Sequence, residues 1–268
     1  MDNRPIGVFD SGLGGLSTAR ELMNLLPDES IEYLGDTGRV PYGSRSREII
    51  NLYARQDEKF LLQKNVKMIV AACGTVSSVA AHTGDELPVP FLGVVEPAAK
   101  AAAKATRSGR IGVTGTSTTI RSGSYEKALH KINPDFEVVS VDCPLLVPIV
   151  EQGYISPDDE LTLIAAKRYL TKIRDFGVDT LILGCTHFPL ISGTFSRIMG
   201  DDVTIISAGR AAALECAERL KAADMLCDGS MPRTSRFYVT DRPDGFYKTA
   251  DLFFNGGFDG EVSQVAIG

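Results

Sequence analysis

The chain has 268 residues, 44% of them hydrophobic and 23% charged, with a formal net charge of −6. That composition is globular, the length suits two domains of ordinary size, and an acidic balance without a Lys/Arg cluster argues against a nucleic-acid binder. No apolar run approaches the roughly 20 residues of a membrane span, and "MDNRPIGVFDSG" lacks the layout of a signal peptide; a cytoplasmic protein with reduced thiols is expected.

The predicted elements alternate. "IGVFD" reads as a short β-strand, followed by the turn "SGLGGLS" and the helical "STARELMNLL". "SIEYLGDT" is a second strand, and "SREIINLYARQDEKFLLQKN" has apolar residues at helical spacing. "VKMIVAAC" is a third strand, "PFLGVVEP" a fourth, and "PAAKAAAKATRSG" an alanine-rich helix ending at Gly109. Strands alternating with helices imply parallel sheets covered on both faces.

The same order then returns. "RIGVTGTSTT" lines up with "PIGVFDSGLG", placing Ile111 on Ile6. "EVVSVDCP" echoes "IEYLGDTG", with Asp142 on Asp36. "GVDTLILGCT" lines up with "NVKMIVAACG", with Cys185 on Cys73, and "VTIISAGRAAALE" echoes "FLGVVEPAAKAAA". Four matches in order predict a duplicated α/β unit: two similar parallel-sheet domains related by a pseudo-twofold axis, with the active site in the cleft between them. The predicted domains are residues 1–97 plus 211–268 and residues 98–210. "RAAALECAERLKAADML" predicts a helix. The tail predicts one strand and a short final helix, packed back on the first domain.

Ligands of open parallel sheets sit at the carboxyl ends of strands. Cys73 and Cys185 occupy such ends at matched places, so two facing domains would bring a thiol to each side of one ligand. Racemisation needs this arrangement: a thiolate removes a proton from one face of a carbon and a thiol returns one to the other. A thiol can be acidified for the task by a helix N-terminus or a histidine. "GTVSSVAAHT" reads as a helix start after Cys73, His187 lies two residues after Cys185, and Asp10 at the end of the first strand could orient or deprotonate Cys73. Cys143, Cys216 and Cys227 read as small buried hydrophobes. No CxxC and only three histidines are present, so no metal site is expected; His82 and His130 read as surface or packing residues.

"SGLGGLS" lacks the Lys-Ser/Thr ending of a phosphate loop and does not fit G-x-G-x-x-G. Its glycines suit close approach to a small ligand. No lysine lies at a strand's carboxyl end, so a pyridoxal Schiff base is not expected and no cofactor is predicted. N–H groups and the hydroxyls of "GTVSS" and "GTSTTIRSGS" would then have to stabilise the carbanion. Glu96 in "VVEP" predicts a structural hydrogen-bonding role at the domain hinge.

Together "IGVFDSGLGGLS", "YLGDTGRVPYGSRS", "AACGTVSS", "GVVEPA", "GVTGTSTTIRSGSYEKAL", "PLLVPIVEQG" and "LGCTHFPLI" resemble the glutamate racemases, cofactor-independent enzymes that supply D-glutamate for peptidoglycan. The resemblance implies that Cys73 and Cys185 are the acid–bases, Cys73 acting on D- and Cys185 on L-glutamate. It implies that Asp10 and His187 assist, with Glu151 and Asp36 as outer acidic groups. Asp10, Ser11, Tyr42, Gly43, Thr75, Thr186 and His187 would line the substrate site, with Pro41 in the same loop as Tyr42 and with Thr114, Thr116, Thr118 and Thr119 near it. Homodimers are common in the family. One departure stands out: Gly74 replaces the family's usual asparagine, removing an amide that holds substrate. A lost hydrogen bond to a charged group costs about 1.5–3 kcal/mol, so affinity or substrate choice could differ. Three alternatives follow: a racemase of aspartate or another amino acid, an inactive amino-acid-binding relative, and a one-cysteine decarboxylase or isomerase.

Overall fold

The computed structural model describes residues 1–230, 232–254, 256–258 and 260–268. The first half runs β1 (Ile6–Asp10), α1 (Leu16–Leu25), β2 (Ile31–Gly35), α2 (Arg47–Gln63), β3 (Met68–Ala71), α3 (Gly74–Val79), β4 (Phe91–Gly93) and α4 (Val95–Ala105). The second runs β5 (Arg110–Gly115), α5 (Ser117–Ser122), α6 (Ser124–Ile132), β6 (Glu137–Asp142), α7 (Leu146–Glu151), α8 (Glu160–Phe176), β7 (Thr180–Leu183), α9 (Ser192–Met199) and β8 (Thr204–Ser207). Then follow α10 (Ala208–Ala222), β9 (Arg236–Val239), α11 (Asp244–Phe253) and β10 (Glu261–Gln264).

The strands form two all-parallel sheets, ordered β10-β9-β2-β1-β3-β4 and β6-β5-β7-β8. The block β2-β1-β3-β4 has the order of β6-β5-β7-β8, so the duplication read in the sequence is one of topology as well. β1, β2, β3 and β7 are buried along their whole length, because helices cover both faces; this is why they read as continuous apolar runs.

Register corrects one detail. Asp10 pairs with Gly35 and Gly115 with Asp142, so Asp142 corresponds to Gly35. The counterpart of Asp36 is Cys143: the Asp36 N–H donates to the Asp10 carbonyl, and the Cys143 N–H to that of Gly115. The sequence echo was one residue out of step, and a one-residue slip turns a strand side chain to the opposite face. Two further differences concern element ends. Of "PFLGVVEP" only Phe91–Gly93 is strand, and α4 begins at Val95. Among the described residues the tail has two strands rather than one: β9 pairs with β2 and β10 with β9, adding to the first sheet as its expected return implied.

A continuous core joins the sheets. Ile6, Val8 and Tyr33 of the first and Ile111, Val113 and Ile182 of the second share a buried cluster with Ala98, Ala99 and Ala102 of α4 and Ala211, Ala212 and Ala213 of α10. Alanine lets these two helices lie close between the sheets, holding the two sets of strand ends against one another. Among the described residues no helix is long and apolar enough to cross a membrane.

Candidate active site

The carboxyl ends of four strands meet at one seam. β1 delivers Asp10 and Ser11, β3 delivers Cys73, β5 delivers Thr116 and β7 delivers Cys185 with Thr186 and His187. Two glycines make the approach possible. A Cβ on Gly74 would overlap the Gly184 carbonyl oxygen, and a Cβ on Gly14 would overlap Thr186 Oγ1. The Gly-rich turn after β1 thus packs on the strand end that carries the second thiol, and the Tyr33 hydroxyl fixes that turn by donating to the Gly12 carbonyl at 2.9 Å. Gly14 is needed for this contact and not for a phosphate.

Cys73 caps α3 and is 4% exposed. Its Sγ lies 3.5 Å from Ser11 Oγ. Burial, then the charge of Asp10, push this thiol up to about 12; contacts to the N–H groups of Val76 and Ser11 oppose them only in part. The acidification expected from the start of α3 is therefore outweighed. Asp10 itself is fully buried. Burial raises its carboxyl above the usual range against the His187 charge and the Gly12 N–H, which donates to Oδ2 at 3.0 Å. Its Oδ1 has no hydrogen-bond partner among the described residues.

Cys185 has a different environment. His187 Nδ1 lies 3.8 Å from Cys185 Sγ and 3.5 Å from Thr186 Oγ1, while His187 Nε2 meets Glu151 Oε1 at 3.1 Å. Burial disfavours the imidazolium, but its hydrogen bonds to Cys185 and Glu151, with their charges, win and raise it to about 10. At neutral pH the Cys185 sulfur therefore lies beside a cationic imidazole. The Phe253 ring packs edge-on against His187 at 5.9 Å. Glu151 at the end of α7 is 46% exposed, linking a buried imidazole to water.

Hydroxyls stitch the seam. Thr75 Oγ1 is 3.1 Å from Thr116 Oγ1, which is 3.0 Å from Thr119 Oγ1. Thr116 also caps α5. Thr118 Oγ1 donates to the Gly43 carbonyl at 2.6 Å, and Gly43 packs on Thr116. Pro41 is exposed at the head of that turn. Tyr42 is fully buried and its hydroxyl is taken up by Asp36 and Asp57, so only its main chain is free to meet a ligand. Asp36 belongs to this buried cluster and not to the seam.

Other candidates fall outside. The Thr114 hydroxyl donates to the Ile182 carbonyl within the sheet at 3.1 Å. Glu96 is exposed on the first turn of α4. His82 is exposed and His130 bonds the Phe136 carbonyl. Cys143 and Cys216 are buried among apolar groups. The structure adds Tyr125, which the sequence reading passed over inside "SGSYEKAL". Its ring lies behind Gly184, both cleft thiols raise its hydroxyl pKa beyond the effect of burial, and that hydroxyl has no partner among the described residues.

The architecture is that of a two-lobed α/β protein with a thiol on one strand end of each lobe and a histidine beside one of them. The chain belongs to the Asp/Glu/Hydantoin racemase family, which it matches over residues 19–216. It is 42% identical to a glutamate racemase of Geobacter metallireducens over 268 residues, 100% of this chain and 98% of the relative. Its structure is similar to a glutamate racemase isoform of Bacillus anthracis, with TM-score 0.94, 38% identity and coverage of 99% and 98%. It is also similar to the Francisella tularensis glutamate racemase in complex with D-glutamate, with TM-score 0.91, 36% identity and the same coverage.

Proposed function

We propose that the chain is a cofactor-independent glutamate racemase that interconverts L- and D-glutamate with Cys185 and Cys73 as the two acid–bases, in the cytoplasm, as a homodimer, supplying D-glutamate for peptidoglycan. The observation that carries this reading is the unequal setting of two matched thiols: Cys73 buried beside Ser11 and Asp10 and pushed up to about 12, and Cys185 with its Sγ 3.8 Å from a His187 imidazole that stays cationic up to about 10.

The Cys185 thiolate takes the α-proton of L-glutamate, and the electron pair stays on the carbon as a carbanion conjugated with the carboxylate. The Cys73 thiol then gives its proton to the opposite face, yielding D-glutamate, a Cys73 thiolate and a Cys185 thiol. Running the steps backwards converts D to L. Resetting needs one proton moved to Cys73 and one removed from Cys185. Asp10 and Ser11 adjoin the first thiol, and His187 with half-exposed Glu151 adjoins the second. The hydroxyls of Thr75, Thr116 and Thr119, and the main chain of Tyr42 and Gly43, lie where substrate carboxylates would be held, and donors aimed at developing charge do the most to lower such a barrier. Each positioned acid or base contributes about 10²–10⁴-fold.

The test is circular-dichroism turnover of both enantiomers without added cofactor, on wild type, Cys73→Ser and Cys185→Ser. Wild type should racemise glutamate and each variant should lose at least a hundredfold. Robust turnover of aspartate with none of glutamate would select the aspartate reading. Glutamate binding without α-proton exchange in heavy water would select a binding protein, and a single-cysteine variant that kept its rate would refute the two-thiol scheme.

A further inference from the structure

A buried polar cluster that the mechanism does not use lies directly beneath the turn that carries Tyr42 and Gly43. Asp36 follows β2 and Asp57 lies on the inner face of α2; both side chains are 0% exposed. Arg39 spans them, with Nε 2.5 Å from Asp36 Oδ2 and Nη2 3.2 Å from Asp57 Oδ1. Arg39 also stacks over the Tyr53 ring at 4.0 Å and bonds Gln56. Thr240 Oγ1 donates to Asp36 Oδ1 at 2.7 Å. The Tyr42 hydroxyl lies between the two carboxyls, bonded to Asp36 Oδ2 and 3.0 Å from Asp57 Oδ2.

We propose that Asp57 is a positioning residue for the 41–44 turn: by holding the Tyr42 hydroxyl against Asp36 it fixes the Gly43 main chain at the seam between the lobes. This rests on the glutamate racemase reading for its consequence in turnover, but not for its consequence in the turn itself. A phenol has one proton to donate, and here it meets two carboxyl oxygens. If both carboxyls were ionised, one contact would set lone pair against lone pair, and one arginine would face two buried negative charges. A proton on Asp57 resolves both. Asp57 then donates to the Tyr42 oxygen, Tyr42 donates to Asp36, and the Arg39 cation balances the single remaining charge. Burial and the neighbouring Asp36 charge push the Asp57 carboxyl upward in that sense. The turn is held from both sides: Asp57 and Asp36 from the first lobe, and the Thr118 hydroxyl on the Gly43 carbonyl from the second.

The experiment compares full-length wild type, Asp57→Asn, Asp57→Ala and Tyr42→Phe. Steady-state turnover of each enantiomer, thermal melting and hydrogen exchange of the peptide covering residues 36–46 are measured. Asparagine resembles a protonated aspartate in offering a donor to the Tyr42 oxygen and a carbonyl acceptor to Arg39, so Asp57→Asn should stay within about threefold of wild type in KM and exchange. Asp57→Ala should raise KM roughly tenfold with kcat within threefold, and should speed exchange of the 42–44 amides at least tenfold. If Asp57→Ala does not fold, Tyr42→Phe carries the same expectation, since it removes the bridging hydroxyl and keeps the ring. Unchanged exchange in a folded Asp57→Ala or Tyr42→Phe overturns the proposal whatever the kinetics. So does an Asp57→Asn variant as impaired as Asp57→Ala. Wild-type protein that fails to turn over glutamate would defeat the functional reading alone, and exchange would still decide the role of Asp57.

Discussion

Gly74 and Gly184 are in main-chain contact: the residue after one cleft cysteine lies against the carbonyl of the residue before the other, with no room for a Cβ between them. The two thiol-bearing strand ends are thereby tied to one separation. From sequence, glycine at 74 looked like the loss of a substrate-holding amide. The structure gives it a second role: without a Cβ it lets the lobes close to this distance.

Gly74→Ala should therefore be harmful although alanine is the better helix former at the start of α3. Its methyl group must displace the Gly184 carbonyl, and forced overpacking costs about 1–3 kcal/mol. The expected result is a lower melting temperature and a loss in kcat/KM of roughly tenfold or more, where tenfold corresponds to about 1.4 kcal/mol. Gly74→Asn distinguishes the two roles. If steric closure dominates, it behaves like Gly74→Ala; if the missing amide dominates, it lowers KM below wild type. A neutral Gly74→Ala would dismiss the closure argument.

Thiol reactivity should expose the asymmetry of the cleft. Cys73 and Cys185 are similarly buried, 4% and 7% exposed, so a difference in alkylation rate reports ionisation more than access. At pH 7 iodoacetamide should label Cys185 well before Cys73. His187 is cationic below about 10, and the preference should narrow as pH rises through that value and then toward the Cys73 value of about 12. In His187→Gln the Cys185 sulfur loses a cationic neighbour 3.8 Å away, so its labelling should slow several-fold while that of Cys73 stays unchanged. Peptide mapping of the labelled protein gives both rates. Equal labelling of the two cysteines, or a His187→Gln variant that labels like wild type, contradicts the assistance of Cys185 by His187.

How much of this was legible in the sequence depended on whether a residue's role left a local pattern. β1 and β5 are apolar runs ending in Asp10 and Gly115, β3 and β7 apolar runs ending two residues before Cys73 and Cys185, and these continuous runs with their repetition revealed the strands and the cleft they frame. The end of β4 was hidden because "VVEP" is as apolar as the strand before it, and only packing sets Val95 in α4. β10 has the polar sequence Glu-Val-Ser-Gln at an edge, with no alternation strong enough to mark a strand. Asp57 sits in "RQDEKF", which reads as an ordinary solvated helix face; its burial against Asp36, Arg39 and Tyr42 is wholly a tertiary fact. The pairing of Asp142 with Asp36 failed for a related reason, since short strands tolerate a one-residue slip in alignment that hydrogen-bond register does not.

The opposite end of the first sheet gives the last prediction, because it separates stability from turnover. Lys67 leads into β3 and is 0% exposed, with its ammonium 2.6 Å from Glu29 Oε2, 2.7 Å from the Asp2 carbonyl and 2.8 Å from the Met225 carbonyl. Glu29 Oε1 in turn accepts the Cys227 N–H at 2.8 Å. One ion pair thus ties the N-terminal segment, the β1–β2 half of the sheet and the connection from α10 to β9. Breaking a buried pair by removing one partner strands the other charge and costs about 3–5 kcal/mol. Glu29→Gln should cost stability of that order in urea titration while leaving KM for glutamate within twofold, since β3 separates Lys67 from Cys73. Lys67→Met combined with Glu29→Leu should stay destabilised although it removes both charges, because it leaves the Asp2 and Met225 carbonyls and the Cys227 N–H without their partners. A Glu29→Gln protein within 1 kcal/mol of wild type would show that the two carbonyls suffice for the ammonium, and a raised KM would show that this end of the sheet is coupled to the cleft.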